Sequence, residues 1–195
     1  MGGRRRQAGL AADRAGAGRR RAGMMPQLHR VGLHLRPIAM SDAPAWFEYL
    51  SMPGAVEHTS WALDGLQVLY PQIAASNPFN RDAAALFAIV DDLDELIGTV
   101  GFHTVWAAPR GGEMAYNLHP AHWGLGIASE ACDAVAQWAF AERGYARIDA
   151  YALDSNTASM RVLEKSGFQP VELMRALRVV DGQPRDFWRY RRERG

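Results

Sequence analysis

The sequence predicts an α/β fold built on one mixed sheet, antiparallel at the front, with a βαβ-like crossover in its middle. Three observations carry this. Toward both ends, short stretches alternate apolar and polar residues between Gly, Pro and Asp turns. Between residues 120 and 168 the apolar period turns helical twice. A strand-like run, RIDAYAL, separates those two helical stretches, so strand, helix, strand and helix alternate there.

Each element has its own local reason. Leu33, Leu35 and Pro37 alternate with His34 and Arg36, so LHLRPI reads as a first strand ending near a proline. Ser41 reads as an N-cap for a short helix over 43–50, with Trp46, Phe47 and Leu50 as its apolar face. Residues 51–65 read as a loop, with Pro53, Gly54 and Gly65. A second helix is expected over 66–76, with Pro71 disturbing its middle. A buried strand over 84–90, a hairpin turn at 91–94 and a strand over 95–105 follow, the last bent at Gly98 and Gly101. Residues 107–112 read as a turn, and EMAYNL (113–118) as a short strand. Ile127, Ala131, Val135 and Trp138 recur at helical spacing, predicting a helix over 127–143 that Gly144 stops. RIDAYAL (147–153) is the next strand. Ser155 or Asn156 caps a helix through Lys165, ended by Gly167. Residues 168–180 and 185–192 form a final hairpin around Asp181-Gly182. That makes seven strands and four helices.

Composition narrows the function classes. The 195 residues suit one domain, and no apolar run approaches the roughly 18 residues that cross a bilayer. The single Cys132 excludes an internal disulfide framework and multi-cysteine metal sites, and a reducing cytoplasm is the simplest compartment. Charge is uneven. Residues 1–23 hold seven arginines and one aspartate; 15 of the 22 Lys and Arg and 20 of the 21 Asp and Glu remain for the rest, a net of −5. The Arg/Gly/Ala-rich segment 1–24 reads as a disordered tail or an extended start, with Met24 and Met25 as alternative initiators, and 25–195 as a single domain. A polyanion-binding arm that touches RNA or ribosome, or a targeting peptide, are the other readings of the tail.

The chemistry gathers in two stretches. In WGLGIASEA (123–131), Gly124 and Gly126 lack a Cβ, so the backbone can turn sharply and meet a ligand closely. The free N–H groups of the following helix start then point outward. Such a start attracts anions by ~0.3–1 kcal/mol per charge, up to ~2 when partly buried. By itself this stretch also fits a glycine-containing turn that binds nothing. It is neither a Walker loop nor a dinucleotide fingerprint, since neither Gly-Lys-Ser/Thr nor a third glycine follows. In DSNTASMRVLEKSGF (154–168), Asn156 and Ser159 stand three apart at a helix start, so both side chains can line one cleft. Simple capping by Asn156 beside a surface Ser159 is the plain alternative.

Residues 114–131 (MAYNLHPAHWGLGIASEA) and 156–168 (NTASMRVLEKSGF) resemble the two signature blocks of the GNAT superfamily of N-acetyltransferases. The RimJ/RimL branch, which acetylates ribosomal-protein N-termini, is the closer likeness, through the LRP opening with its following Ser-Asp and the W-G-x-G-x-A loop. Trp123 stands where the broader family has Gln or Arg. The resemblance spans about residues 33–190. It implies a mostly antiparallel sheet splayed around an acyl-CoA cleft, and acetyl-CoA as co-substrate. The diphosphate would rest on the backbone amides of Leu125, Gly126, Ile127, Ala128 and Ser129, with Trp123 and Gly124 completing the cofactor-binding loop. The pantetheine arm would run beside Tyr116, Asn117 and Leu118, with Asn156 holding it or the adjacent backbone. A backbone N–H near Leu118 would stabilise the developing oxyanion, and Ser159 would protonate the departing thiolate. No metal and no covalent acyl-enzyme are called for.

The general base is open. Glu113 shares a strand face with Ala115 and Asn117 and is the first candidate, with His119 and His58 as rivals. Trp61, in the loop before the second helix, and His58 are candidates for substrate contact. The preferred acceptor is a protein N-terminal α-amine. A small amine (amino acid, polyamine or drug) is the alternative, and a non-catalytic acyl-CoA-binding regulatory module is a second class. The expected assembly is a monomer or homodimer with no membrane contact.

Overall fold

A computed structural model describes residues 24–59, 61 and 63–195. The readings made for the Arg-rich tail lie outside the described residues. Seven strands form one sheet in the order β1-β2-β3-β4-β5-β7-β6: β1 (Leu33–Pro37), β2 (Ala85–Asp91), β3 (Leu96–Ala107), β4 (Arg110–Leu118), β5 (Arg147–Leu153), β6 (Gln169–Val180) and β7 (Gln183–Glu193). Only β4 and β5 pair in parallel; every other neighbouring pair is antiparallel. Helix α3 (Ile127–Trp138) makes the crossover between them, as a parallel pair requires. The others are α1 (Ala43–Leu50), α2 (Tyr70–Ala75) and α4 (Thr157–Lys165). No described helix is long and apolar enough to cross a membrane.

Two apolar layers sandwich the front of the sheet. Ala85, Phe87 and Ile89 of β2 join Val100, Phe102, Met114 and Leu118 under Ile127, Ala131, Val135 and Leu163 of α3 and α4. Leu86, one step out of phase, joins Trp46, Tyr49, Leu50, Leu69 and Ile73 on the opposite face. Burial on both faces explains why β2 is a continuous apolar run rather than an alternating one. Fully burying each large aliphatic or aromatic side chain stabilises the fold by roughly 1.5–3 kcal/mol, so these layers clamp the strands that carry the site.

Several boundaries differ from expectation for identifiable reasons. Ser41 is not a cap: it lies in a 3₁₀ turn (Met40–Asp42), and Asp42 takes the chain's turn, accepting from the Ala39 N–H at 2.7 Å. The second helix is shorter than expected because Pro71 sits in its first turn, where a missing N–H costs nothing. The turn before EMAYNL is much tighter than expected, and β4 starts at Arg110. The third helix continues past Trp138 as a π turn (Ala139–Arg143) before Gly144 stops it. At Gly101, φ is +155° and a Cβ would fall 2.0 Å from the Ala85 carbonyl oxygen, so the bend there needs glycine.

Candidate active site

The site opens where β4 and β5 part. Their pairing runs from Gly111 to Met114 against Arg147 to Ala150 and then stops. The backbone N–H of His119 bonds to the Ile97 carbonyl on the β3 side. Alternate residues point their polar groups the other way, so those of Tyr116 and Leu118 face the gap. The indole N–H of Trp123 takes the Leu118 carbonyl at 2.7 Å, leaving the Leu118 N–H as the donor there.

The loop after β4 forms one wall. Gly124 and Gly126 sit at φ +76° and +79°. A Cβ at Gly124 would meet nothing within 4 Å, and one at Gly126 would meet only the Arg30 guanidinium at 3.8 Å. The cradle is therefore open. The N–H groups of residues 125–129 make no backbone hydrogen bond among the described residues, because a first helical turn has no intrahelical acceptor. Consecutive free donors at the start of a 12-residue helix suit a diphosphate. A Cβ at Gly54 would lie 3.9 Å from the Trp123 ring, so the loop after α1 reaches this wall.

The opposite wall is α4. The Asn156 carboxamide accepts from the Ser159 N–H at 2.9 Å and caps the helix. The Ser159 hydroxyl lies 2.6 Å from the Tyr116 hydroxyl, which also donates to the Ser159 carbonyl at 3.1 Å. The two side chains thus bridge the gap. Burial pushes the Tyr116 phenol far above its ordinary pKa, so it keeps its proton.

The other face of β4 carries Glu113 and Asn117. The Asn117 side-chain carbonyl accepts three donors: Trp46 Nε1 and Thr99 Oγ1, at 3.1 and 3.0 Å, and the Tyr49 hydroxyl in a short bond. The indole is donor-only, which fixes the amide orientation. Trp46, Tyr49 and Thr99 are all buried. Asn117→Ala should therefore strand three buried donors and cost about 3 kcal/mol. Urea denaturation measures this, and a loss under about 1 kcal/mol would contradict it; Asn117→Asp keeps the acceptor and should recover most of the stability.

Glu113 accepts from Arg178 of β6 at 2.5 Å, and His103 lies 3.5 Å from the same oxygen. The Arg178 guanidinium also stacks over Tyr151 and Phe187. His103 sits in the bulge of β3, where the register to β4 shifts. Burial, helped by Arg178, lowers its pKa despite Glu113, so the ring is held neutral. His119 caps the Pro120–His122 turn through Nδ1 and packs edge-on to Tyr49. Trp61 packs against Trp46, with ring centroids 5.7 Å apart. His58 stays in the same loop and, among the described residues, makes no hydrogen bond or ion pair with Glu113, Asn117 or Ser159. Cys132 is wholly buried and burial raises its pKa, so it is a packing residue.

Sequence reasoning missed the Trp46–Tyr49–Thr99 clamp, the His103 and Arg178 partners of Glu113, and Arg30. The face alternation of β4 could have flagged Asn117 as half-buried toward α1. Nothing local signals the others, whose partners stand 10 to 100 residues away.

Comparison with known proteins agrees with this geometry. Residues 32–169 match the acetyltransferase (GNAT) domain family. The uncharacterized N-acetyltransferase YoaA of Bacillus subtilis is 33% identical over 172 residues, covering 84% of this chain and 94% of that one. Mycobacterium smegmatis RimJ, solved with CoA-disulfide, superposes with a TM-score of 0.71 at 26% identity, covering 83% and 81% of the two chains. Spermidine N-acetyltransferase of Vibrio cholerae, solved with CoA and spermine, superposes with a TM-score of 0.73 at 17% identity, covering 84% and 96%. The splayed strands, the glycine loop and these matches together make the chain a member of the GNAT acetyltransferase family, an enzyme of the N-acetyltransferase type that uses acetyl-CoA.

Proposed function

We infer that the acceptor is the α-amine of a protein or peptide N-terminus, attacked directly in a ternary complex. The ion pair of Glu113 with Arg178 carries this reading. The carboxylate expected to serve as base is already committed to a guanidinium, and burial lowers the pKa of the adjacent His103, which weakens it as a base. An α-amine of pKa ~8 is about one-tenth neutral at pH 7, a handicap of ~1.4 kcal/mol, whereas a lysine-like amine faces ~4–5 kcal/mol. Without a free strong base the site favours the α-amine. In this reading Glu113 positions Arg178 and the acceptor reaches water with its proton.

When bound, acetyl-CoA supplies the acetyl thioester. The N–H groups of residues 125–129 would hold its diphosphate, Tyr116 and Leu118 would flank its arm while Asn117, clamped on the other face, would hold the strand in place, and the Leu118 N–H would face the carbonyl oxygen. Asn156 orients the first turn of α4 by capping it. The Ser159 hydroxyl, held 2.6 Å from the Tyr116 hydroxyl, would give its proton to the departing thiolate and regain one from water, which takes up the proton of the acceptor amine. Trp61 and His58 would line the approach of the acceptor.

A small cationic amine is the second reading, favoured by a cavity of about 440 Å³ lined by Glu48, Glu95, Tyr49 and His119. Thiol release from acetyl-CoA distinguishes the two. Peptides with free Ser, Ala or Thr N-termini should be turned over, and N-terminal blocking should abolish it. Turnover confined to small amines would reverse the acceptor assignment. Binding of acetyl-CoA with no turnover on either pool would favour a regulatory module.

A further inference from the structure

We propose that Arg30 is a cofactor-binding residue that supplies the permanent positive charge of the diphosphate site; this rests on reading the 123–129 loop as that site. From Leu118 to Glu142 the chain contains no lysine or arginine. The loop and α3 therefore bring backbone donors but no fixed cation, and the Trp123 side chain is turned back onto the Leu118 carbonyl. The first turn of α3 even carries an acid, Glu130. A diphosphate placed there would meet like charge.

Arg30 corrects this from 95 residues upstream. The segment before β1 lies along the loop, with Met25 and Leu28 packed on the main core. The backbone N–H groups of His29 and Arg30 donate to Glu130 Oε1 at 2.7 and 2.9 Å. The Arg30 guanidinium donates from Nη2 to the Leu125 carbonyl at 2.8 Å, and its Nε lies 3.4 Å from Glu130 Oε2. Among the described residues it is also the only group within 4 Å of a Cβ built on Gly126. Its Nη1 has no partner among the described residues, and the side chain is 39% exposed. Two functions combine in this placement. Arg30 neutralises Glu130, and it turns unused N–H donors toward the open cradle, where guanidinium geometry matches phosphate oxygens.

The test separates charge from scaffolding. CoA binding is measured by calorimetry at low and high salt for the wild type, Arg30→Gln, Arg30→Lys and Glu130→Gln, and turnover with S-acetylpantetheine, which lacks the phosphates, is measured alongside. Arg30→Gln should weaken CoA at least tenfold, as loss of a charge-assisted hydrogen bond does. It should also flatten the salt dependence and leave kcat/KM for S-acetylpantetheine within twofold of wild type. Arg30→Lys should recover most of the affinity. Glu130→Gln loosens the same segment but keeps the guanidinium, so it should bind CoA at least as tightly as wild type. Wild-type binding of CoA with an Arg30→Gln change under twofold overturns the proposal alone. So does an equal loss on CoA and S-acetylpantetheine, or a loss in Glu130→Gln matching that in Arg30→Gln, since both mark a scaffolding role. A wild type that does not bind CoA overturns the cofactor reading of the loop itself.

Discussion

Gly126→Asp should abolish CoA binding while leaving the protein folded. Gly126 is the N-cap of α3 at φ +79°, a left-handed conformation that costs an L-residue roughly 1–2 kcal/mol, somewhat less for Asp. Space is not the obstacle, because only the Arg30 guanidinium lies within 4 Å of the new Cβ. The carboxylate would instead sit at the mouth of the free N–H groups of residues 125–129, at the positive end of the helix, and would attract Arg30. It would occupy the cradle as an anion and repel a second one. The expected result is a rise in the CoA Kd of at least a hundredfold by calorimetry, with a melting temperature lowered by only a few degrees. Unchanged affinity would mean that the diphosphate lies elsewhere.

Ser159→Ala should lose turnover and keep acetyl-CoA. The hydroxyl lies 2.6 Å from Tyr116 at the mouth of the gap, while the backbone N–H of residue 159 still bonds to Asn156 in the variant. The helix start therefore survives. A positioned proton donor contributes typically 10²–10⁴-fold, so kcat should fall by about that range with the acetyl-CoA Kd within threefold of wild type. A kcat within threefold of wild type would leave Ser159 without a catalytic role and move the proton donor to Tyr116 or water. Tyr116→Phe adds resolution. If the Tyr116 hydroxyl orients Ser159 without giving up its own proton, the phenyl variant should fall in kcat by less than Ser159→Ala, since the proton donor itself remains.

Much of the fold was legible because it is written in local period and turn chemistry. RIDAYAL coincides with β5, and the Asp181-Gly182 turn carries φ +50° and +73°, as the hairpin signal requires. Boundaries were missed where a neighbour overrides the local signal. Asp42, already paired with Arg36 at 2.8 Å, takes over the turn from Ser41. β4 begins early because Gly111 and Gly112 pair with both β3 and β5. In the site, Asn156 caps the helix by accepting from the Ser159 N–H, as its place three residues earlier allows. Glu113 was chosen from strand alternation alone. That rule says which face a carboxylate occupies, not that Arg178, 65 residues on, will reach it.

By itself the sequence determined the element order, the glycine loop at a helix start, the capped α4 and the resemblance to N-acetyltransferases. Each depends on interactions within a few residues, where spacing fixes geometry. Tertiary structure alone decided how charge and hydrogen bonds are shared around the site. The Asn117 clamp, the Glu113–Arg178 pair and Arg30 over the loop join residues 18 to 100 positions apart. Such contacts follow from the sheet order and from how the strands diverge after Met114, which no local pattern encodes.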